Sequence, residues 1–183
     1  MSKPAVPCYP QDMERRIFGF PPVAGENPRV LILGSMPSVR SLEYGRYYGH
    51  PRNHFWKLIL SVLELPWEEE YAGRLDILKK RGIALWDVIA HCRREGSLDQ
   101  AIRDPEYNDV MGFIGQFPGL RLVCFNGSRA EREFFRNTRH VGKSPEYLRL
   151  PSSSPIPTRL HRKWEDKLPE WRIIADHLDE VKP

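Results

Sequence analysis

The sequence is poor in cysteine and has no long apolar run. Its three cysteines, Cys8, Cys92 and Cys124, are spread over 183 residues without a CxxC pair. This spacing predicts neither a disulfide framework nor a zinc site, and an iron–sulfur cluster normally takes four cysteines. The N-terminus has no apolar stretch of signal-peptide length, and no window is long enough to span a membrane. We therefore expect a soluble, cytoplasmic protein that uses no metal, no organic cofactor and no membrane.

Several common catalytic patterns are absent as well. His50 and His54 are four residues apart, but Pro51 between them predicts a loop rather than a metal-binding helix face. The sequence contains no HExxH or GxGxxG motif, no Ser-His-Asp spacing and no nucleophile elbow. The loops described below also lack the paired carboxylates of sugar hydrolases. The chemistry of this protein must therefore depend on other residue types.

The composition is that of a globular protein with many loops. Hydrophobic residues make up 40% of the chain and charged residues 28%, and there are 17 Pro and 13 Gly. The length predicts one domain over residues 1–183, with an irregular leader over residues 1–28. The net charge is +4, and 20 Arg stand against 8 Lys. Arg suits bidentate contacts with phosphates and base edges, although a charge of +4 is common and does not by itself indicate a nucleic-acid partner.

Four short apolar segments read as buried parallel strands: residues 29–34, 82–88, 120–127 and 146–151. Helices are predicted between and after them, over residues 55–65, 68–81, 97–117 with an interruption at Asp104-Pro105, 128–136, and 160–178 with a break at Pro169. This alternation predicts an α/β fold with a parallel sheet covered on both faces. Such sheets bind ligands at the carboxyl ends of their strands.

The loop after the first strand, "GSMPSVRSLEYGRYYGHPRNHFW", is unusually rich in aromatic, basic and glycine residues. Tyr47 and Tyr48 precede Gly49, and a tyrosine ring on such a loop can stack on a planar base. The alternative is that both rings cover the edge of the core. Asn53 stands at the start of the next predicted helix, where Asn is a favoured N-cap. Its amide also offers a donor and an acceptor, which suits reading a base or positioning a water.

The loops after the third and fourth strands should reach the same edge of the sheet. Asn126 follows the third strand, where it is either a turn residue before Gly127 or a second functional amide. The fourth strand leads into "PSSSPIPTR", whose hydroxyls and backbone amides are suited to phosphates. Ile156, between two prolines, reads either as a wedge into a base stack or as a residue tucked inward. Arg159 begins a small basic cluster.

These segments together resemble the uracil-DNA glycosylase superfamily, and within it the hypoxanthine-DNA glycosylase (DNA-deoxyinosine glycosylase) branch. "GSMPS" with "YYGHPRNHFW" behind it, "ALWDVIAHCRREGSLDQAI", "FNGSRA" and "LPSSSPIP" match in the same order, over residues 30–159. The resemblance implies a three-layer α/β/α sandwich with a central four-stranded parallel sheet. It also implies a monofunctional, cofactor-free DNA repair enzyme. Such an enzyme flips a deaminated base out of the duplex and leaves an abasic site, and the branch implies hypoxanthine as that base.

The resemblance further assigns roles to residues. Met36 stands where mismatch-specific uracil glycosylases carry an Asn that positions the attacking water, so this role passes to Asn53 in "PRN". Asn126 matches a second important Asn, which would read the base edge, and Tyr48 matches the aromatic that stacks on the base. Ser152 stands where many relatives have His or Asn. The complete set of expected site residues is catalytic Asn53 and Asn126, base-binding Tyr48, Gly34, Ser35 and Met36, and DNA-binding Arg52, Ser152, Ser153, Ser154, Ile156 and Arg159.

Two alternatives stay open at this stage. The first is the same class of enzyme with uracil or another mispaired lesion as its preferred base. The second is a nucleic-acid-binding protein of the same fold without catalysis, since Met36 and Ser152 both depart from better-known active sites. In each case we expect DNA as the partner and a monomeric protein.

Overall fold

The computed structural model describes residues 16–138 and 145–178. The strands are β1 (Arg16–Phe18), β2 (Val30–Gly34), β3 (Ile83–Asp87), β4 (Ile89–Arg93), β5 (Arg103–Tyr107), β6 (Leu122–Asn126) and β7 (Glu146–Leu150). The helices are α1 (Val39–Tyr44), α2 (Phe55–Val62), α3 (Tyr71–Lys80), α4 (Val110–Gly115), α5 (Ser128–Asn137), α6 (Leu168–Trp171) and α7 (Ile173–Leu178). Single 3₁₀ turns cover Asp99–Ala101 and Glu165–Lys167.

The four predicted apolar segments form one parallel sheet in the order β3-β2-β6-β7. Val30 of β2 is in register with Ile83 on one side and with Leu122 on the other. Alternate side chains of β2 point to opposite faces, as a pleated strand requires. Val30 and Ile32 pack into one apolar cluster, which holds most of α2, and Leu31 and Leu33 pack into a second cluster with α4 and α5. The predicted three-layer α/β/α architecture is confirmed.

A second, antiparallel sheet in the order β1-β4-β5 was not predicted from the sequence. The predicted irregular leader is wrong from residue 16 onward, because β1 pairs with β4 and Val23 forms a bridge with Leu85. Residues 1–15 of that leader, including Cys8, lie outside the described part of the chain. The expectation of helix over residues 97–117 is wrong outside α4, because a single 3₁₀ turn stands before the expected interruption and Asp104-Pro105 itself belongs to β5. Pro is tolerated in β5 because this strand lies at the edge of its sheet.

The ends of the helical segments also differ from expectation. Helix α1 lies inside the loop that follows β2, with the Ser38 side chain accepting a hydrogen bond from Ser41 N as its cap. The final segment is not helical before the 3₁₀ turn at Glu165–Lys167. Pro169 does not break a helix, because it stands in the first turn of α6, where the missing amide hydrogen costs nothing. The discontinuity falls at Arg172, between α6 and α7.

The strand order places a crevice at the carboxyl end of the sheet. The chain leaves β2 toward β3 on one side, whereas β6 leads to β7 on the other side. The loops after β2 and β6 therefore diverge, which is the arrangement that opens a binding crevice in parallel α/β sheets. Within residues 16–138 and 145–178, no helix has the length and apolar character needed to cross a membrane.

Candidate active site

A cavity of about 520 Å³ opens at this edge of the sheet. Its walls come from the loop after β2, the ends of β3 and β6, the segment before β5, and the loop after β7. The expected site residues that line it are Gly34, Ser35, Met36, Tyr48, Arg52, Asn53, Asn126, Ser152, Ser153, Ser154 and Ile156. Of the full set, only Arg159 is outside the lining; it is exposed on the surface beyond Ile156. Segments more than 100 residues apart in the sequence thus meet at one cavity.

Asn126 is the centre of a hydrogen-bond network across the cavity wall. Its Nδ2 donates to Tyr48 Oη at 2.8 Å and to Ser153 Oγ at 2.8 Å. Its Oδ1 accepts from the backbone amide of Ser153 at 2.7 Å. Both amide hydrogens are thereby engaged, while Oδ1 retains a second lone pair. The network ties the end of β6 to the loops after β2 and β7 and fixes the orientation of the amide.

The two adjacent tyrosines have different environments. Tyr47 is 4% exposed and donates its hydroxyl to the carbonyls of Phe20 and Pro21, so it belongs to the core. Burial, followed by the nearby Asp87 carboxylate, raises the pKa of its hydroxyl. Tyr48 has a φ of 51°, in the left-handed region that few residues other than glycine adopt, and its ring centroid lies 6.5 Å from that of Tyr47. The ring of Tyr48 stacks on buried Phe55 at a centroid distance of 3.9 Å and lines the cavity.

Asn53 links the cavity to α2. Its Oδ1 accepts from the backbone amide of Phe55 at 2.9 Å, which satisfies one of the unpaired amides at the start of that helix. Its own amide donates to the carbonyl of His50 at 2.8 Å. The N-cap of α2 is His54 and not the expected Asn53, which stands one residue earlier. The bond to Phe55 still holds the Asn53 amide in one place, as a water-positioning group requires, and the same side chain lines the cavity.

The loop after β7 that carries Ser152, Ser153 and Ser154, here called the serine loop, is bound by a buried lysine that was not predicted from the sequence. Lys167 is 3% exposed, and its Nζ donates to the carbonyls of Ser152 and Ser154 at 2.7 and 2.8 Å. Burial lowers the pKa of this ammonium group. The carbonyl of Ser153 accepts from the backbone amide of His54 at 2.9 Å. Because three successive carbonyls have partners inside the protein, the loop keeps a single shape.

Ile156 and Met36 have opposite exposures at this site. Ile156 is 61% exposed at the rim of the cavity, so it projects from the loop and is not tucked inward. Met36 is 7% exposed and packs against Ile89, Cys92 and Ile102. A buried thioether is at best a weak hydrogen-bond acceptor. Met36 therefore forms an apolar part of the cavity wall.

Asp87 is a second lining residue that sequence reasoning missed. It is the last residue of β3, lies in register with Gly34 and is 4% exposed. A Cβ atom at Gly34 would lie 2.1 Å from Asp87 Oδ1 and 3.1 Å from Tyr48 Oη. Only glycine at position 34 leaves room for both oxygens. The sequence did contain a signal for Asp87. It is an acidic residue at the end of an apolar strand, and the neighbouring strand β2 in the sheet also ends in a site residue, Gly34.

The described residues contain no group of three or more His, Cys, Asp or Glu side chains placed to hold a metal ion.

The sequence model of the uracil DNA glycosylase superfamily matches residues 21–176 of this chain. The chain belongs to that superfamily.

Relatives within the superfamily are similar over most of their length. A hypoxanthine DNA glycosylase of Methanosarcina acetivorans is 41% identical over 160 residues, which cover 87% of this chain and 98% of the relative. A hypoxanthine DNA glycosylase of Methanosarcina barkeri is 43% identical over 113 residues, which cover 61% of this chain and 72% of the relative. A solution NMR structure from M. acetivorans, described as a candidate uracil DNA glycosylase, superimposes with a TM-score of 0.74 at 38% identity. That match covers 90% of this chain and 99% of the other.

These similarities confirm the family and the fold inferred from the motifs. In this member of the uracil DNA glycosylase superfamily, the Tyr48 ring, two amides and a hydroxyl-rich loop with an exposed isoleucine surround one cavity. A cavity lined in this way can hold a planar base beside an oriented water, with the phosphate backbone on the serine loop.

Proposed function

We propose that this protein is a monofunctional DNA glycosylase that releases hypoxanthine from deoxyinosine in DNA and leaves an abasic site. The observation that carries the proposal is the meeting of Tyr48, Asn53 and Asn126 in one cavity at the carboxyl edge of the sheet. The choice of base is supported by the two relatives named hypoxanthine DNA glycosylase. The similar structure described as a uracil DNA glycosylase makes uracil the second candidate.

Access to the base requires that the nucleotide leaves the stack. Turning a nucleotide out of a duplex costs a few kcal/mol, and less at a mispair. In the proposed complex, Ile156 fills the vacated space, because it is an aliphatic side chain 61% exposed on a loop ordered by Pro155 and Pro157. The hydroxyls of Ser152 and Ser154 and the guanidinium of Arg52 lie on the same rim and contact phosphates.

Once in the cavity, the base lies over the face of the Tyr48 ring opposite the one that Phe55 supports. Asn53 orients a water toward C1′ of the sugar. As the bond between C1′ and the base nitrogen breaks, its electron pair leaves with the base, and positive charge develops on the sugar. The water oxygen then bonds to C1′, one water proton is transferred to the departing base, and the other stays on the new hydroxyl. Asn126 contacts the base edge through the second lone pair of Oδ1.

The proposed enzyme has the domain organisation, oligomeric state and location that we expect from the sequence. The protein acts as a single domain and as a monomer, in the cytoplasm, on DNA that contains deaminated bases. It needs no metal ion or organic cofactor, because water is the only co-reactant in the hydrolysis.

The direct test is base release from duplexes that each carry one hypoxanthine, uracil or xanthine, followed by strand cleavage of the abasic product with alkali. We expect hypoxanthine to be released fastest, and EDTA to leave its release unchanged. Strand cleavage without alkali would contradict the monofunctional assignment. Specific binding to these duplexes without release of any base would instead support a non-catalytic binder, and fastest release of uracil would support the second candidate.

A further inference from the structure

Leu98 is an aliphatic side chain that is exposed at the rim of the cavity. It is 62% exposed and lines the cavity together with the polar residues Ser97 and Gln100. A single exposed leucine is ordinary on a protein surface. Among the exposed large hydrophobic side chains of the described residues, however, only Leu98 and Ile156 line this cavity. Two exposed aliphatic side chains therefore stand at one opening.

The two side chains reach the cavity from opposite edges of the parallel sheet. Leu98 lies in the segment between β4 and β5, which the chain enters after β3, and β3 is one edge of the order β3-β2-β6-β7. Ile156 lies in the serine loop, which follows β7 at the other edge. The crevice between these edges is where the proposed function places the extruded nucleotide. Leu98 and Ile156 therefore lie on either side of that nucleotide.

The backbone around Leu98 is held in place, although the side chain is exposed. Ser97 Oγ accepts from the amide of Val39 at 2.9 Å, and the carbonyl of Leu98 accepts from the amide of Ala101 at 3.0 Å. Ile102, which directly follows this turn, is 4% exposed and packs into a buried apolar cluster. The packing of this segment therefore depends on Ile102, and the side chain of Leu98 is available to contact a ligand.

An extruded nucleotide leaves the bases next to it without a stacking neighbour. The faces of these bases are planar and apolar, and DNA-binding proteins insert aliphatic wedges between such base steps. A wedge that enters from one side of the duplex covers only part of the base faces that extrusion exposes. A second aliphatic side chain that enters from the other side can cover the remainder.

We propose that Leu98 is a second wedge, which enters the duplex from the side opposite Ile156 and packs against the bases that flank the extruded nucleotide. The inference rests on the proposed function and deepens it, because it names the contact that keeps the duplex open on the second side. Leu98 acts as a positioning residue, since it stabilises the extruded state and contacts neither the attacking water nor the sugar carbon. Its contribution should be largest where extrusion is hardest, at a well-paired lesion.

The test measures single-turnover base release at saturating enzyme from two duplexes. In one duplex hypoxanthine pairs with cytosine, and in the other it stands opposite a tetrahydrofuran abasic analogue, so that no base pair has to be broken. Leu98→Ala should slow release from the paired duplex by roughly tenfold, as expected for the loss of a buried aliphatic contact. Its effect on the unpaired duplex should be clearly smaller. Leu98→Met, which keeps an apolar side chain of similar length, should release the base at nearly the wild-type rate.

Leu160→Ala is the matched control, because Leu160 is also an exposed leucine but lies outside the cavity lining. It should release the base from both duplexes as the wild type does. The melting temperature of Leu98→Ala should equal that of the wild type, because the side chain that it removes is exposed.

Extrusion is also observed directly with 2-aminopurine beside the lesion, since this base fluoresces more strongly when it loses its stacking neighbour. For this measurement the lesion nucleotide has 2′-fluoroarabinose, because fluorine opposes positive charge on the sugar and prevents base release. Binding of the wild type or of Leu160→Ala should raise the fluorescence, and binding of Leu98→Ala should raise it less.

Two results would overturn the inference. One is a Leu98→Ala protein with wild-type release from the paired duplex. The other is equal slowing on both duplexes with an unchanged rise in fluorescence, which would give Leu98 a role that follows extrusion. Failure of the wild type to release hypoxanthine from either duplex would instead overturn the proposed function, so the two failures are distinguishable.

Discussion

Tyr48 contributes to the site through two separate parts of its side chain. Its ring lies against Phe55 at 3.9 Å, nearly parallel at 14°, and forms a platform at the cavity wall. Its hydroxyl accepts from Asn126 Nδ2 at 2.8 Å. Stacking of a base on an aromatic ring is worth about 1–3 kcal/mol, and a neutral hydrogen bond contributes about 1 kcal/mol net. The two parts can be removed one at a time.

Tyr48→Phe should keep the aromatic ring and lose the hydrogen bond to Asn126, so binding of the lesion should stay near that of the wild type. Base release should slow by about tenfold or less, because one neutral hydrogen bond is lost. Tyr48→Ala should weaken binding of the extruded base by about ten- to hundredfold. Single-turnover release and the melting temperature are measured on both. Tyr47→Phe is the matched control, because its hydroxyl donates to the backbone carbonyls of Phe20 and Pro21 and not to a neighbour in the Asn126 network, so its loss should affect melting alone. A Tyr48→Ala protein that melts early yet releases base normally would contradict the stacking role.

Asn53 combines a structural and a proposed chemical role, and substitution can separate them. A Ser hydroxyl can accept the same hydrogen bond from the Phe55 amide as Asn53 does, but Ser has no carboxamide. Asn53→Ser should keep the melting temperature of the wild type and lose base release, with DNA affinity unchanged. Asn53→Ala should lose release as well and cost about 1 kcal/mol of stability, because the Phe55 amide loses its partner. Wild-type release by a well-folded Asn53→Ser protein would remove the catalytic assignment.

At the scale of elements, the site depends on loops that are shaped by contacts from other parts of the chain. The serine loop follows β7, yet its carbonyls bind Lys167 of the 3₁₀ turn before α6 and the amide of His54 before α2. Because these carbonyls and the amides of Ser153, Ser154 and Ile156 are bonded within the protein, the proposed phosphate contacts fall to the hydroxyls of the loop. The buried ammonium also lies behind the loop and adds positive charge to it.

Lys167→Met should therefore loosen the loop while filling a similar volume. Loss of hydrogen bonds to a charged group predicts a decrease in stability of about 1–3 kcal/mol, together with weaker binding of undamaged duplex. Denaturant unfolding and DNA titration measure the two effects. Lys163→Met is the matched control, since Lys163 is an exposed lysine in the same segment and its removal should leave stability unchanged. Equal behaviour of the two variants would mean that Lys167 does not support the loop.

The parallel sheet was predictable from the sequence because its strands are buried on both faces. Such strands read as continuous apolar runs, and the predicted bounds of β2, β3, β6 and β7 differ from the observed ones by at most two residues. The antiparallel sheet was not predictable in the same way. Its strands carry charged and half-exposed residues, and the Asp104-Pro105 pair in β5 has the composition of a turn. Pairing with a distant strand decides its conformation.

The site was predictable to a similar extent. Residues such as Tyr48 and Asn126 lie next to a predicted strand end or within a motif loop, so position along the chain is enough to suggest them. Lys167 resembles an ordinary surface charge in the sequence, and only the tertiary contacts show that it is buried. Asp87 closes an apolar strand, so its position next to the site could have been inferred from the strand order. Arg159 was expected at the site but is exposed outside the cavity, whose lining in this loop ends at Ile156.

For the whole molecule, the position of the positive charge matters more than its total. The net charge of +4 is modest, but Arg52 lies on the cavity rim, and Arg159 is exposed three residues after Ile156 of the serine loop. Each arginine that contacts a phosphate releases counterions when DNA binds, so the affinity falls with salt in proportion to the number of contacts. The salt dependence therefore counts the phosphate contacts without requiring catalysis.

Arg52→Ala and Arg159→Ala should each reduce the slope of log affinity against log salt by about 1 and weaken binding of all sequences alike. Neither change should alter the preference for a hypoxanthine duplex over an undamaged one, because phosphates carry no base information. Arg81→Ala is the matched control: Arg81 is exposed directly before Gly82 and β3, at the amino end of the sheet, and its loss should leave the slope unchanged. If Arg81→Ala lowered the slope as much as the other two, DNA would contact the opposite edge of the molecule, and the proposed orientation of the duplex over the cavity would be wrong.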